Sequence, residues 1–165
     1  MAADGTKGLA DYAEFRRPDG KWVVLRDNRA PGAVGTRYYA AVKDKAEDCY
    51  PPAILTKLAG YACPEAGELP NGWVWIVANI PPRRQFFYLT VSTNGVVFDR
   101  TRHLLTVEGE ARPDRIGGGG GPQYPHAVTV GGNIWLIYSI GKTQMGATRI
   151  PIGELVKLYD PGVTD

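Results

Sequence analysis

The side chains with chemistry to offer fall in a few short stretches of this sequence. They are Tyr12-Ala13-Glu14, Leu25-Arg26-Asp27 with Arg37 downstream, Glu65, Asn79 followed by Arg83-Arg84, and Tyr124-Pro125-His126 followed by Ser139 and Lys142. Arginine grips a carboxylate through two parallel N–H bonds. A carboxyl group or a tyrosine can move a proton or attack an anomeric carbon. Together these types suit an anionic sugar. Tyr124, His126 and Glu14 are the catalytic candidates, and Arg26, Asp27, Arg37, Asn79, Arg83 and Lys142 the substrate contacts. Plainer roles compete: Tyr124 beside Pro125 can pack a strand start, and Arg83-Arg84 reads as a solvated loop pair.

The elements that would position them repeat. Trp22-Val23-Val24-Leu25-Arg26, Trp75-Ile76-Val77-Ala78-Asn79 and Trp135-Leu136-Ile137-Tyr138-Ser139 share one pattern: a Trp, three mostly apolar residues, then a polar one. Before each stands a tight-turn dipeptide, Asp19-Gly20, Asn71-Gly72 and Gly131-Gly132, which predicts a two-residue hairpin. Short strands are expected upstream of each motif and a third strand after it. A fourth is expected near Cys49–Leu55 and Val96–Leu105. The turn glycines Gly20, Gly72 and Gly132 lie 52 and 60 residues apart, the spacing of propeller blades rather than of shorter solenoid repeats.

The expected fold is therefore all-β: a partial β-propeller of about three four-stranded antiparallel blades, over 9–58, 59–107 and 120–158, in one domain. Aromatic and β-branched residues fill the strands, and no stretch keeps a helical apolar period. Trp22, Trp75 and Trp135 are expected in equivalent places as inter-blade core. Residues 108–121 form a Gly-rich linker. Its run Gly117–Gly121 lacks the strand–loop–helix setting of a phosphate loop. Three blades cannot close a ring, so missing N-terminal blades or a second copy are expected to complete it.

Composition narrows the classes further. Of 165 residues, 44% are hydrophobic and 22% charged, which excludes wholesale disorder. A net charge of +2 without any Lys/Arg block gives no case for nucleic acid. No apolar run can span a bilayer, and the first residues lack the apolar core of a signal peptide. Cys49 and Cys63 are the only cysteines, without a nearby His cluster. Two free buried thiols are expected, with neither a zinc site nor another cofactor.

Around this frame the sequence resembles the Asp-box, or BNR-repeat, sialidase superfamily. Val42-Lys43-Asp44-Lys45-Ala46-Glu47-Asp48-Cys49 keeps the Asp and spacing of that box but lacks its Ser, Gly and Trp. Ser92-Thr93-Asn94-Gly95 is a shortened version with Asn for Asp. Gln123-Tyr124-Pro125-His126-Ala127 and Tyr138-Ser139 with Lys142 resemble the last blades of sialidase-like proteins. The resemblance covers nearly the whole chain. It implies the C-terminal half of a sialidase-like glycoside hydrolase acting on an acidic glycan, extracellular or periplasmic.

Tyr124 resembles that family's nucleophilic tyrosine, and Arg26 falls where one arginine of its carboxylate-binding cluster would lie. Asn79 stands where another arginine is expected, and His126 has no counterpart. The aspartic acid proton donor would belong to further N-terminal blades. A polysaccharide lyase using Tyr124, His126 and Arg26 is the enzymatic alternative, and a non-catalytic glycan-binding propeller the other.

Overall fold

The computed structural model describes residues 2–6, 9–28, 37–79, 84–107 and 120–160, with backbone only for Asn28 and Tyr61. Three antiparallel sheets follow one another along the chain. The first contains β1 (Leu9–Arg16), β2 (Trp22–Asn28), β3 (Arg37–Lys43) and β4 (Ile54–Ala59). The second contains β5 (Tyr61–Glu68), β6 (Val74–Asn79), β7 (Phe86–Ser92) and β8 (Arg100–Thr106). The third has three strands, β9 (Pro122–Val130), β10 (Asn133–Ile140) and β11 (Gln144–Pro151), and the helix α1 (Ile152–Tyr159) follows it. Strand order in every sheet follows chain order, so each is a meander.

The hairpins differ in a way that matters for register. In the first, Arg16 pairs with Trp22, and in the second Glu68 pairs with Val74. Each loop therefore spans five residues. In the first, Gly20 N donates to Arg17 O at 2.9 Å and Arg17 N to Lys21 O at 2.8 Å. The second repeats this with Gly72 N to Leu69 O and Leu69 N to Trp73 O. Gly20 and Gly72 take φ of 88° and 82°, which closes such a loop without a Cβ clash. The two-residue turn expected from the sequence occurs only at Gly131-Gly132, between Val130 and Asn133.

Aligned on these turns, Val23 and not Trp22 is the counterpart of Trp75 and Trp135. A one-residue offset sends a side chain to the opposite face of a sheet. Trp75 lies in the core between the second and third sheets, 2% exposed. Trp22 shares the opposite type of face with Val24, away from the second sheet. Trp135 is 41% exposed. The expectation of three equivalent core tryptophans thus holds for Trp75 alone.

Packing runs in layers. Phe15, Val23, Leu25 and Tyr38 of the first sheet meet Val74, Ile76, Ala78 and Tyr88 of the second. The other side of the second sheet, with Trp75, Val77, Phe87 and Leu89, meets Ile134, Leu136 and Tyr138 of the third. Every residue of β6 is therefore buried, and its apolar run is continuous rather than alternating. On the far side of the first sheet, Ala2 packs against Val24, Tyr39 and Ala41. Tyr39 donates to Asp4 at 2.9 Å there.

Helix α1 departs from the expected all-strand third unit. It follows Pro151 and buries Ile152, Leu155 and Tyr159, an i, i+3, i+7 stripe, against the second and third sheets. Arg100 donates to the Tyr159 carbonyl at 2.6 Å, and the Tyr159 hydroxyl to Leu89 O at 3.4 Å. A helix of eight residues is marginal alone, so this packing holds it. Both cysteines are free, but Cys49 is exposed and Cys63 half-buried, so the expected burial fails.

Candidate functional site

The first strand of each sheet, β1, β5 and β9, contributes to one open cleft of ≈ 620 Å³. Its walls include Asp11, Tyr12, Glu14, Glu65, Tyr124 and His126. All three strands break their ladders there. Register shifts fall between Ala10 and Tyr12, between Tyr61 and Glu65, and between Gln123 and His126. Within each break one non-glycine residue takes positive φ: Asp11 at 26°, Ala62 at 61° and Tyr124 at 53°. Bulges re-aim side chains, and strained residues of this kind gather at functional sites. Tyr124 and His126 stand two apart on β9, where simple strand alternation puts side chains on one face. The bulge at Tyr124 changes that route, and both residues still line the cleft.

Tyr124 is half-buried between two cations. The Arg84 guanidinium carbon lies 5.0 Å from its ring centroid and Lys142 Nζ 5.7 Å. Burial pushes the hydroxyl pKa up. A hydrogen bond and the charge of Arg84, with Lys142 adding to both, outweigh burial and hold it below the ordinary tyrosine value. Arg84 is not the solvated loop residue its sequence setting suggested. It is 6% exposed, and its Nη1 donates to Gln123 Oε1 at 3.0 Å. Gln123 is itself fully buried. Lys142 reaches Tyr124 from the β10–β11 turn, where it takes φ of 63°.

Gly121 makes this arrangement possible. A Cβ there would stand 2.1 Å from the Arg84 carbonyl oxygen and 2.7 Å from Gln85 Cα. The last glycine of the Gly-rich run thus has a packing role: it lets the start of β9 pass against the Arg84 segment.

Glu65 sits on β5, across the cleft wall from β9. Its Oε1 accepts from Ala127 N at 3.2 Å, and Oε2 lies 3.9 Å from His126 Nδ1. Burial pushes its carboxyl pKa up, and the opposing effects of Ala127 and His126 do not cancel that. His126 is largely solvent-facing, with its side chain 86% exposed. Glu14 accepts from the Tyr50 hydroxyl at 2.5 Å and lies 3.5 Å from Lys43 Nζ. Burial, and then Glu14, push the Tyr50 hydroxyl pKa up.

The substrate-contact candidates scatter more widely. Asn79 is 1% exposed, and its Nδ2 donates to Phe86 O at 2.9 Å and Pro122 O at 3.1 Å. It therefore ties β6 to the start of β9, two residues before Tyr124. Arg26 pairs across the ladder with Tyr12, one strand back from the cleft. Asp27 is buried, and Arg37 is exposed at the start of β3. None of these four lines the cleft. Arg83 lies outside the described residues.

No family model matches the chain, and no curated protein does. Solved structures do match it. An α-L-arabinanase of Penicillium chrysogenum, solved with arabinobiose, superposes with a TM-score of 0.64 at 15% identity, over 87% of this chain and 46% of that one. A sialidase superposes with a TM-score of 0.64 at 22% identity, over 88% of this chain and 14% of that one. An α-L-arabinofuranosidase of Fusarium graminearum, complexed with an iminosugar inhibitor, gives 0.63 at 14% identity, over 91% and 46%. The chain thus has the all-β fold of the propeller glycoside hydrolases. More particularly, it is a run of three antiparallel blades, spanning less than half the length of each of these structures.

Proposed function

We propose that this chain supplies roughly half of a propeller hydrolase, the C-terminal half by sequence resemblance, and that the cleft between β1, β5 and β9 binds an acidic glycan. The observation that carries this reading is Tyr124, held between Arg84 and Lys142 at the cleft wall with its hydroxyl below the ordinary tyrosine pKa. That the arabinanase was solved with arabinobiose and the arabinofuranosidase with an iminosugar supports a carbohydrate ligand.

The chemistry follows from the two shifted groups. Tyr124 Oη attacks the anomeric carbon, its proton passing to solvent in the open cleft, and the bond from that carbon to the glycosidic oxygen breaks. Glu65, whose carboxyl holds its proton above the ordinary carboxylate range, gives that proton to the departing oxygen. The resulting carboxylate then takes a proton from water, whose oxygen displaces the tyrosine from the sugar. Arg84 and Lys142 stabilise the phenolate that forms and leaves. Glu14 and His126 supply polar wall.

A lyase reading draws on the same tyrosine: its phenolate would remove the proton α to a uronate carboxylate. Reaction in ¹⁸O-water separates the two, since hydrolysis places the label on the anomeric carbon of the sugar released from Tyr124 and elimination leaves an unsaturated, unlabelled sugar. Assaying the protein on sialosides, uronate glycans and arabinan, beside Tyr124→Phe, tests the reading. Hydrolysis of one class, lost in Tyr124→Phe with the fold intact, is expected. Full turnover by that variant overturns it.

A further inference from the structure

A second open groove, of ≈ 600 Å³, lies between the first and second sheets and shares no residue with the cleft. One wall is a bulge in β4. Arg37 pairs with Ala59 and Tyr39 with Leu55, so Thr56, Lys57 and Leu58 stand opposite Tyr38 alone. Thr56 Oγ1 fixes that bulge, donating to Tyr38 O at 2.7 Å and accepting from Leu58 N at 3.1 Å. The other wall is the turn after β7. Ser92 Oγ accepts there from Gly95 N at 2.8 Å, and Asn94 Oδ1 from Val96 N at 2.8 Å and Val97 N at 2.9 Å. These acceptors hold Val96 and Val97 out at the groove, 57% and 53% exposed. Phe15 and Phe98, edge to face at 6.0 Å, form the floor.

Size and lining are those of a small-molecule site, which typically measures about 300–1,000 Å³ and is apolar with a few polar groups. The charge at the groove has one sign. Arg17 and Lys57 line it, and no carboxylate does. Arg17 is tied to Asp19 at 2.5 Å and lies under the turn, where a Cβ on Gly95 would stand 2.6 Å from its Cγ. Lys57 is exposed and has no ion pair among the described residues, so its charge is open to a ligand. Both walls belong to this chain. Blades added before the first sheet or after the third do not enter between the first and second.

We propose that this groove binds a monomeric fatty acid, its alkyl chain laid between Leu58 and Val97 over the phenylalanine floor and its carboxylate at Lys57. The apolar surface supplies most of the affinity, because burying the chain removes it and the exposed valines from water together. The lysine supplies the preference for an anion. An exposed ion pair is worth little, so that preference is expected to be about threefold. A carboxylate placed at the valine wall would face the ligand's own charge and abolish the fit.

Isothermal titration of the full chain with dodecanoate, kept below its micellar range, is expected to show one saturable site. Val97→Asp and Lys57→Gln change exposed side chains, and circular dichroism checks that both variants stay folded. Val97→Asp is expected to weaken binding at least about tenfold. Lys57→Gln, or dodecanol in place of dodecanoate, is expected to weaken it about threefold. Trp135→Ser, on the exposed apolar face of the third sheet, is expected to change nothing. Absence of saturable binding overturns the proposal, as does binding lost in Trp135→Ser or kept in Val97→Asp. Dodecanol bound as tightly as dodecanoate overturns the role of Lys57. Cosedimentation with phosphatidylglycerol vesicles that Val97→Asp abolishes, without binding of monomeric dodecanoate, would make the valines a membrane-facing loop and overturns it too. The readout is binding away from the cleft, so its failure leaves the reading of the cleft to its own assay.

Discussion

Asn79 offers the sharpest separation between a binding residue and a structural one. Its buried amide donates to Phe86 O at 2.9 Å and to Pro122 O at 3.1 Å, linking the second sheet to the strand that carries Tyr124. Replacing it with leucine keeps similar bulk but removes both donors. A buried acceptor left without a partner costs about 1–3 kcal/mol, so two give about 2–5 kcal/mol after partial relaxation. That is a large part of a typical domain stability of about 5–15 kcal/mol. With a urea m-value of about 2 kcal/mol per molar, the unfolding midpoint is expected to fall by about 1–2.5 M. Urea denaturation followed by tryptophan fluorescence reads this directly. A midpoint within about 0.3 M of wild type, accompanied by a raised KM, would refute the clasp and restore Asn79 as a substrate contact.

Gly121→Ala is expected to lower catalysis more than stability, because a Cβ 2.1 Å from the Arg84 carbonyl must push that segment away from Tyr124. A spectroscopic titration of phenolate absorbance is expected to show one tyrosine moving toward its ordinary value, and an unchanged titration would count against it. Glu65 has a folded pKa raised by burial, so the folded state holds its proton more tightly than the unfolded chain does. Its contribution is present below the ordinary carboxylate pKa and is lost as pH rises through the raised one. Thermal unfolding of Glu65→Gln is expected to fall less over that window than wild type. Parallel curves for the two proteins would show that Glu65 is not shifted.

The meanders were legible because their signals are local: turn glycines before each Trp motif and β-branched runs between them. The Trp register was not. It depends on whether the preceding loop holds five residues or two, and Asp19-Gly20 and Asn71-Gly72 do not reveal that they close five-residue loops. Helix α1 escaped notice because two turns are too short for an apolar period. Its buried stripe of Ile152, Leu155 and Tyr159 has meaning only against the two sheets it covers.

At the site, residue type singled out Glu14, Glu65, Tyr124 and His126, and the structure brings them to one cleft. The bulges at Asp11, Ala62 and Tyr124 leave no mark in residue type, since they arise from tertiary pairing. Arg84 looked like half of a solvated pair because sequence carries no sign of Gln123, 39 residues on, as the acceptor that lets it be buried.

The central claim is that Tyr124 attacks the sugar. On the proposed reading, an activated glycoside fluorinated at the carbon beside the anomeric centre slows release of the sugar from Tyr124, so the intermediate accumulates. Peptide mapping by mass spectrometry is then expected to find the fluorosugar on the peptide carrying Tyr124, and none in Tyr124→Phe. A label on the peptides of Glu14 or Glu65, with Tyr124 unmodified, would contradict the account.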